Sequence, residues 1–217
     1  MVDFFNWFTP FDTAILTFVN VLQQSAGGFL TPLAKVVTFL GEYGILYFLI
    51  AIILALFKKT RKTAVCIFGA VCCGALITNV ILKDAICRLR PFEENEVFYE
   101  FFKAVNVSNE SGYSFPSGHT TAVTAFAVAL FLTCNKKYSW LGFLGVILMG
   151  FSRVYLICHY PTDVIAGILV GFISALISYA ITILIFNLLN KYKKIRAFEF
   201  MLEFDVGYNV KGKSLEN

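Results

Sequence analysis

The chain has 217 residues, of which 58% are apolar, 17% aromatic and 15% charged, with a formal net charge of +4. Soluble domains average about 45–50% apolar and about 25% charged, so this composition, with a mean hydropathy of +0.74, excludes a disordered chain and argues against an ordinary cytosolic enzyme. Five or six spans of about 20 residues each use roughly half of the length, little is left for a separate soluble domain, and the modest charge gives no reason to expect nucleic acid.

Taken in chain order, the first element is weak. Asp3 and Asp12 stand where a signal peptide carries its basic residues, so no cleavable signal is expected. Segment 4–22 is apolar and aromatic, interrupted at Asn20 and followed by Gln23 and Gln24. Ile15, Phe18, Val19 and Leu22 fall at helical spacing, which predicts an amphipathic helix in the interface or a marginal span. Five stronger stretches follow. Residues 36–57 are apolar apart from Glu42, 63–82 carry no charge, and 118–134 are Ala-rich; 138–157 hold one charge, Arg153, near their end, and 164–190 hold none. The expected fold class is all-α: a polytopic membrane helix bundle with five spans plus an N-terminal interfacial or marginal sixth helix. The expected organisation is an N-terminal membrane helix over 1–35, a membrane core over 36–190 and a basic cytoplasmic tail over 191–217. Neither an internal repeat nor a low-complexity tract is visible.

Charge placement orients these spans. Lys58, Lys59, Arg61 and Lys62 lie in one turn, Lys136 and Lys137 in another, and Lys191, Lys193, Lys194, Arg196, Lys211 and Lys213 in the tail. Alternating spans put all of them on one face, and Lys and Arg accumulate on the cytoplasmic side. Loops 83–117 and 158–163 then face outward. The outer loop 92–115 is acidic through Glu93, Glu94, Glu96, Glu100 and Glu110, which suits a solvated cap, a gate or a filter against soluble anions. The six cysteines form no C-x-x-C pair and mostly sit in apolar runs, as small buried hydrophobes do. Cys87 and Cys158 lie near the polar motifs, and spacing alone does not decide whether they pair.

Three polar clusters stand at the outward ends of the spans, where charge is expensive and usually functional. Lys83 and Arg90 are seven residues apart, a spacing that places both on one helix face, with Pro91 stopping the helix. Two fixed cations suit a phosphate, though basic residues flanking a span also snorkel. Pro116-Ser117-Gly118-His119 precedes an apolar helix; Ser117 suits an N-cap and Gly118 allows close approach to the backbone. The helix N-terminus there favours an anion, with His119 in the first turn. In Ser152-Arg153-x5-His159-x3-Asp163, Pro161 opens the last helix and Asp163 can accept a hydrogen bond from one imidazole nitrogen of His159, leaving the other free. Helix capping by Asp163 beside a structural histidine is the plainer alternative. Alternation of spans brings all three clusters to one membrane level.

The ordered set Lys83-x6-Arg90-Pro91, Pro116-Ser117-Gly118-His119 and Ser152-Arg153-x5-His159-x3-Asp163 resembles the three-part signature of the type 2 phosphatidic acid phosphatase superfamily of membrane lipid phosphatases. The resemblance covers about residues 63–190. It implies a catalytic set of His159 as nucleophile forming a phosphohistidine, Asp163 orienting it and His119 as general acid, with Lys83, Arg90, Ser117, Gly118 and Arg153 holding the phosphoryl oxygens. It implies no metal and no cofactor: fixed cations and a helix N-terminus supply the charge neutralisation that phosphoryl transfer needs. The expected substrate is a lipid phosphate or diphosphate. Small size and an outward site resemble bacterial undecaprenyl diphosphate phosphatases, in a bacterial plasma membrane with the active site facing the extracytoplasmic side. Phosphatidic acid, phosphatidylglycerol phosphate, a lipid-to-lipid phosphotransferase and, more remotely, a non-enzymatic lipid binder or transporter are the alternatives. Oligomeric state is not readable.

Overall fold

The computed structural model describes residues 2–107 and 110–207; Lys211 and Lys213 of the expected basic tail lie outside the described residues. All regular structure among the described residues is helical. Helix α1 (Val2–Leu40) leads through a 3-10 turn at Glu42–Gly44 into α2 (Ile45–Ala55) and α3 (Arg61–Ala75), which runs on through a π-helical segment (Leu76–Leu82) into α4 (Lys83–Ile86). Two short helices follow, α5 (Pro91–Glu94) and α6 (Glu96–Val105). Next come α7 (Gly118–Thr133), α8 (Lys136–Ser139), α9 (Gly142–Tyr155), α10 (Pro161–Lys191) and α11 (Arg196–Glu203).

Two predicted boundaries move. The expected first span 36–57 is not one helix. Residues 36–40 belong to α1, and the break comes at Gly41–Gly44, where Gly44 takes φ 69, a left-handed value that costs glycine little. The expected division at residue 35 therefore falls inside α1. Nor does a helix run from Lys83 to Arg90. It ends at Ile86, Cys87 reverses the chain with φ 55, Arg90 is extended, and Pro91 opens α5 at its first position. Lys83 and Arg90 do share a site, but across a turn rather than along a helix face.

Arg61–Glu94 and Pro161–Lys191 are each long and apolar enough to cross a membrane alone, and α1 with α2 does so as a pair bent by 49°. Helix α7, with 16 residues, and α9, with 14, are shorter than the roughly 20 residues of a full span. The bundle is held by small residues. On α10, Gly167, Gly171, Ser174 and Ser178 form the stripe that faces α7 and α3, while Leu169, Ile173 and Leu184 stay exposed, as lipid-facing side chains do. A Cβ on Gly171 would lie 2.5 Å from the Thr121 carbonyl oxygen, and one on Gly167 would lie 2.7 Å from that of Ser117. Only glycine lets the backbones of α7 and α10 come this close, and that closeness places Ser117 against the first turn of α10: its N–H donates to the Asp163 carbonyl at 3.0 Å.

The apolar interior has two parts. One, centred on Ile67, Ala70, Ala125, Ala129, Met149 and Ala175, fills the bundle. The other packs α1 and α6 onto the α9–α10 connection through Leu16, Val19, Phe98, Phe102, Tyr155 and Ile157. The basic segments gather at the opposite end: Lys58 pairs with Glu203, Arg61 donates to the carbonyls of Met201 and Phe204, and Thr63 meets Cys134. These contacts bring the basic turn at 58–62, the start of the turn at 134–137 and the described part of the tail around 201–204 to one end of the bundle.

Candidate active site

A cavity of about 350 Å³ opens at the end of the bundle remote from the basic turns, lined among others by Lys83, Arg90, Glu110, Gly118, His119 and His159. Members of all three predicted clusters meet there. Ser117, Arg153 and Asp163 stand behind its wall, each with no exposed surface.

The wide π segment at the end of α3 delivers the first cluster. Ala75 just before it, Asn79 within it and Lys83 just after it follow at four-residue intervals and all line the cavity. Arg90 arrives by the turn after α4. Its Nε donates to the Gly112 carbonyl at 2.9 Å and its Nη1 to the Cys158 carbonyl at 2.9 Å, with Nη1 3.5 Å from His159 Nε2. Ser117 precedes Gly118 in extended conformation, so α7 starts where predicted, but the hydroxyl makes no capping bond and pairs with Thr120 Oγ1 at 3.0 Å. In the first turn of α7, His119 Nε2 is buried without a hydrogen-bond partner, 4.0 Å from Glu42 Oε2.

The third cluster is a tight reversal. Helix α9 ends at Tyr155, Ile157 turns the chain with φ 59, and Pro161 begins α10. Asp163 Oδ2 accepts the Tyr160 N–H at 2.9 Å, so the plainer capping role is real. The expected direct hydrogen bond from His159 is absent: Nδ1 stands 3.7 Å from Asp163 Oδ2, beyond bonding range. Ser114 fills the gap. Its Oγ donates to Asp163 Oδ2 at 2.5 Å and lies 3.4 Å from His159 Nδ1. Burial, and then the neighbouring Arg153 and Arg90 charges, push the His159 pKa well below the usual 6.5, which keeps the ring neutral. Burial pushes the Cys158 thiol up to about 11. Cys87 and Cys158 are both free.

Glu110 joins the two guanidiniums. Its carboxylate pairs with Arg153 Nη2 and, at 3.0 Å, with Arg90 Nη1. Burial alone would raise its pKa, but the Arg153 charge and the further cations around it hold it down to about 2. Arg153 Nε remains buried with no partner. The site thus contains more cations than carboxylates to pair with them, a neutral imidazole in the cavity lining whose Nε2 faces Arg90, and a second imidazole at a helix N-terminus. That combination can bind and transfer a phosphoryl group.

Several functional neighbours escaped the sequence reading: Ser114, Glu42, Asn79, Arg88, Asp12, and the pairing of Glu110. Each left a signal. Asn79 and Asp12 are polar residues inside apolar helices, and Glu42 is the lone charge of its stretch. Arg88 lies inside the first motif. Ser114 had only its place two residues before the second. Among the described residues, no three His, Cys, Asp or Glu side chains cluster as metal ligands.

Known proteins place this geometry. The family model of the PAP2 superfamily matches residues 63–186. An undecaprenyl-diphosphatase of Sulfolobus acidocaldarius is 34% identical over 65% of this chain and 67% of its own length. A lipid A 4'-phosphatase of Porphyromonas gingivalis is 36% identical over 54% of this chain, which spans about half of that relative, 51%. The crystal structure of a transmembrane PAP2-type phosphatidylglycerolphosphate phosphatase from Bacillus subtilis superposes with a TM-score of 0.64 at 24% identity, covering 81% of this chain and 86% of that one, a likeness of fold. The matched stretch contains all three motifs: the chain belongs to the PAP2 superfamily and is a membrane lipid phosphatase within it.

Proposed function

We propose that the protein hydrolyses an isoprenoid lipid diphosphate, undecaprenyl diphosphate by preference, through a phosphohistidine on His159. The observation that carries this reading is the direction of the imidazole. Nδ1 faces Ser114, which itself donates to Asp163, so the hydroxyl can accept a hydrogen bond from Nδ1–H and leave the lone pair on Nε2, the nitrogen on the Arg90 side of a ring that lines the cavity. Nε2 attacks phosphorus, and the bond from phosphorus to the leaving lipid oxygen or lipid phosphate breaks. His119 protonates the departing oxygen. Water, losing its proton to His119, then cleaves the P–N bond and releases orthophosphate.

Lys83, Arg90 and the N-terminus of α7 hold the phosphoryl oxygens, joined by Arg153 from behind the wall once the substrate displaces Glu110. Ser117 and Gly118 shape that N-terminus, Gly118 at the cavity and Ser117 behind it. Glu110 already stands on two of these cations, so substrate binding exchanges one anion for another. Side chains supply the positive charge that a metal provides in other phosphatases, so turnover is expected to survive chelation.

In this reading five spans and an N-terminal helix packed on α6, α9 and α10 form the membrane unit, with a basic tail after residue 190. The cluster of Lys and Arg at the far end supports an extracytoplasmic site in a bacterial plasma membrane. Lipid preference rests on the undecaprenyl-diphosphatase relative. The lipid A 4'-phosphatase relative supports a second reading, a phosphate on a saccharolipid. Orthophosphate release by the purified protein from undecaprenyl diphosphate, lipid A, phosphatidic acid and phosphatidylglycerol phosphate decides between them. Turnover of lipid A above the isoprenoid diphosphate overturns the first reading. Near-normal turnover by H159A overturns the mechanism.

A further inference from the structure

Behind the cavity, the N-terminal helix reaches into the catalytic support. Asp12 of α1 is 1% exposed, an expensive place for a lone carboxylate. Its Oδ2 accepts from Arg88 Nη2 at 2.7 Å and from Thr162 Oγ1 at 2.7 Å, and its Oδ1 accepts the Thr162 N–H at 3.0 Å. The other arm of the same guanidinium, Arg88 Nη1, donates to Asp163 Oδ1 at 2.6 Å. The guanidinium is held between the Tyr160 ring, 3.8 Å away, and the Phe5 ring, 4.3 Å away. Asp12 lies far outside the matched residues 63–186.

We propose that Asp12 is a positioning residue of the reaction, which acts through Arg88 and the first turn of α10 to hold Asp163 in register with Ser114 and His159. The reason is geometric. A guanidinium facing one buried carboxylate tends to bind it bidentately. Asp12 engages Nη2, so only Nη1 reaches Asp163, at Oδ1. Oδ2 is left for Ser114 and the Tyr160 N–H. Without Asp12, Arg88 turns both arms to Asp163, draws Oδ2 from Ser114, and loosens the tautomer of His159. Asp12 also fixes Thr162, the residue before Asp163. Its charge has a second consequence. Arg88 alone neutralises Asp163; with Asp12 present, one negative charge remains near His159 as that ring becomes positive on phosphorylation. This inference rests on His159 and Asp163 being the catalytic pair.

The test compares full-length wild type, D12N, D12E and H159A, purified in detergent, by orthophosphate release from undecaprenyl diphosphate micelles, with thermal unfolding as a check on folding. Loss of such a supporting partner typically lowers activity about 10–100-fold. D12N is expected to lose that much in kcat with KM changed by less than about threefold, and D12E to recover most of it. If D12N does not fold, R88K replaces it: a lysine cannot bridge two carboxylates in this geometry, and kcat falls in the same way. Inactive H159A together with D12N or R88K at wild-type kcat overturns this inference alone. A loss that comes only from fewer folded molecules, with unaltered kcat per folded molecule, overturns it equally. Active H159A overturns the catalytic reading and this inference with it.

Discussion

The helix contacts of the bundle and its polar site are built on opposite principles. Between α3, α7 and α10, contact is made by removing side chains. Gly69, Gly74, Gly167 and Gly171 would each place a Cβ within 3.0 Å of a neighbouring helix. Around the site, contact is made by charge: Arg90 and Arg153 are buried against Glu110, and Arg88 lies between Asp12 and Asp163. Within a membrane, helices gain little from burying apolar surface against one another, so close backbone packing does the work. A buried ion cluster adds little net stability, because desolvation offsets its attraction. The comparison teaches that the first region sets where the helices stand, while the second spends burial on chemistry.

Breaking the charged end is expected to have the largest effects. H159A removes the proposed nucleophile and should lower kcat on the order of 10⁴-fold or more, measured as phosphate release with expression and folding retained. Because the wild-type ring stays neutral well below pH 6.5, the acid limb of its kcat/KM profile should lie below that value; a limb above it contradicts the burial described here. In kcat/KM, which extends only to phosphoryl transfer onto His159, H119A should cost about 10²–10⁴-fold with lipid substrates, and distinctly less with p-nitrophenyl phosphate, whose leaving group needs no proton. An equal loss on both removes His119 from the general-acid role.

Glu110 sharpens the contrast. In E110Q the carboxylate no longer competes with phosphate, so inhibition by orthophosphate should strengthen about tenfold. The thermal midpoint without anion should drop, because Arg153 is left buried and unpaired, and added phosphate should restore it more than in wild type. The same midpoint shift by phosphate in both proteins separates Glu110 from the anion site.

The packed helix seam yields smaller numbers. G171A forces a methyl group onto the Thr121 carbonyl and should lower stability by about 1–3 kcal/mol, read by thermal unfolding, with kcat of the folded fraction kept. G28A is the control: nothing lies within 4 Å of a Cβ at this position in α1, so helix propensity alone should stabilise by up to about 1 kcal/mol. If both behave alike, close helix approach is not what holds the bundle.

Chemistry was the most legible property of this chain. Helices α3, α7, α9 and α10 follow from long apolar stretches, and the residues facing the cavity follow from charge placed where a membrane penalises it. Pro161 and Asp163 announce the start of α10 through local rules alone. What tertiary structure decided depends on residues distant in sequence. The break in α1–α2 falls at Gly44 rather than near residue 35, because a left-handed glycine overrides an apolar pattern that continues through it. Arg90 reaches the cavity through a reversal at Cys87, a conformation that composition does not announce. Ser114, not direct contact, joins His159 to Asp163, and Asp12 meets Arg88 across 76 positions of chain. Periodicity and capping act within a few residues and can be read from sequence; hydrogen bonds and ion pairs between remote segments exist only once packing has fixed the distances that they require.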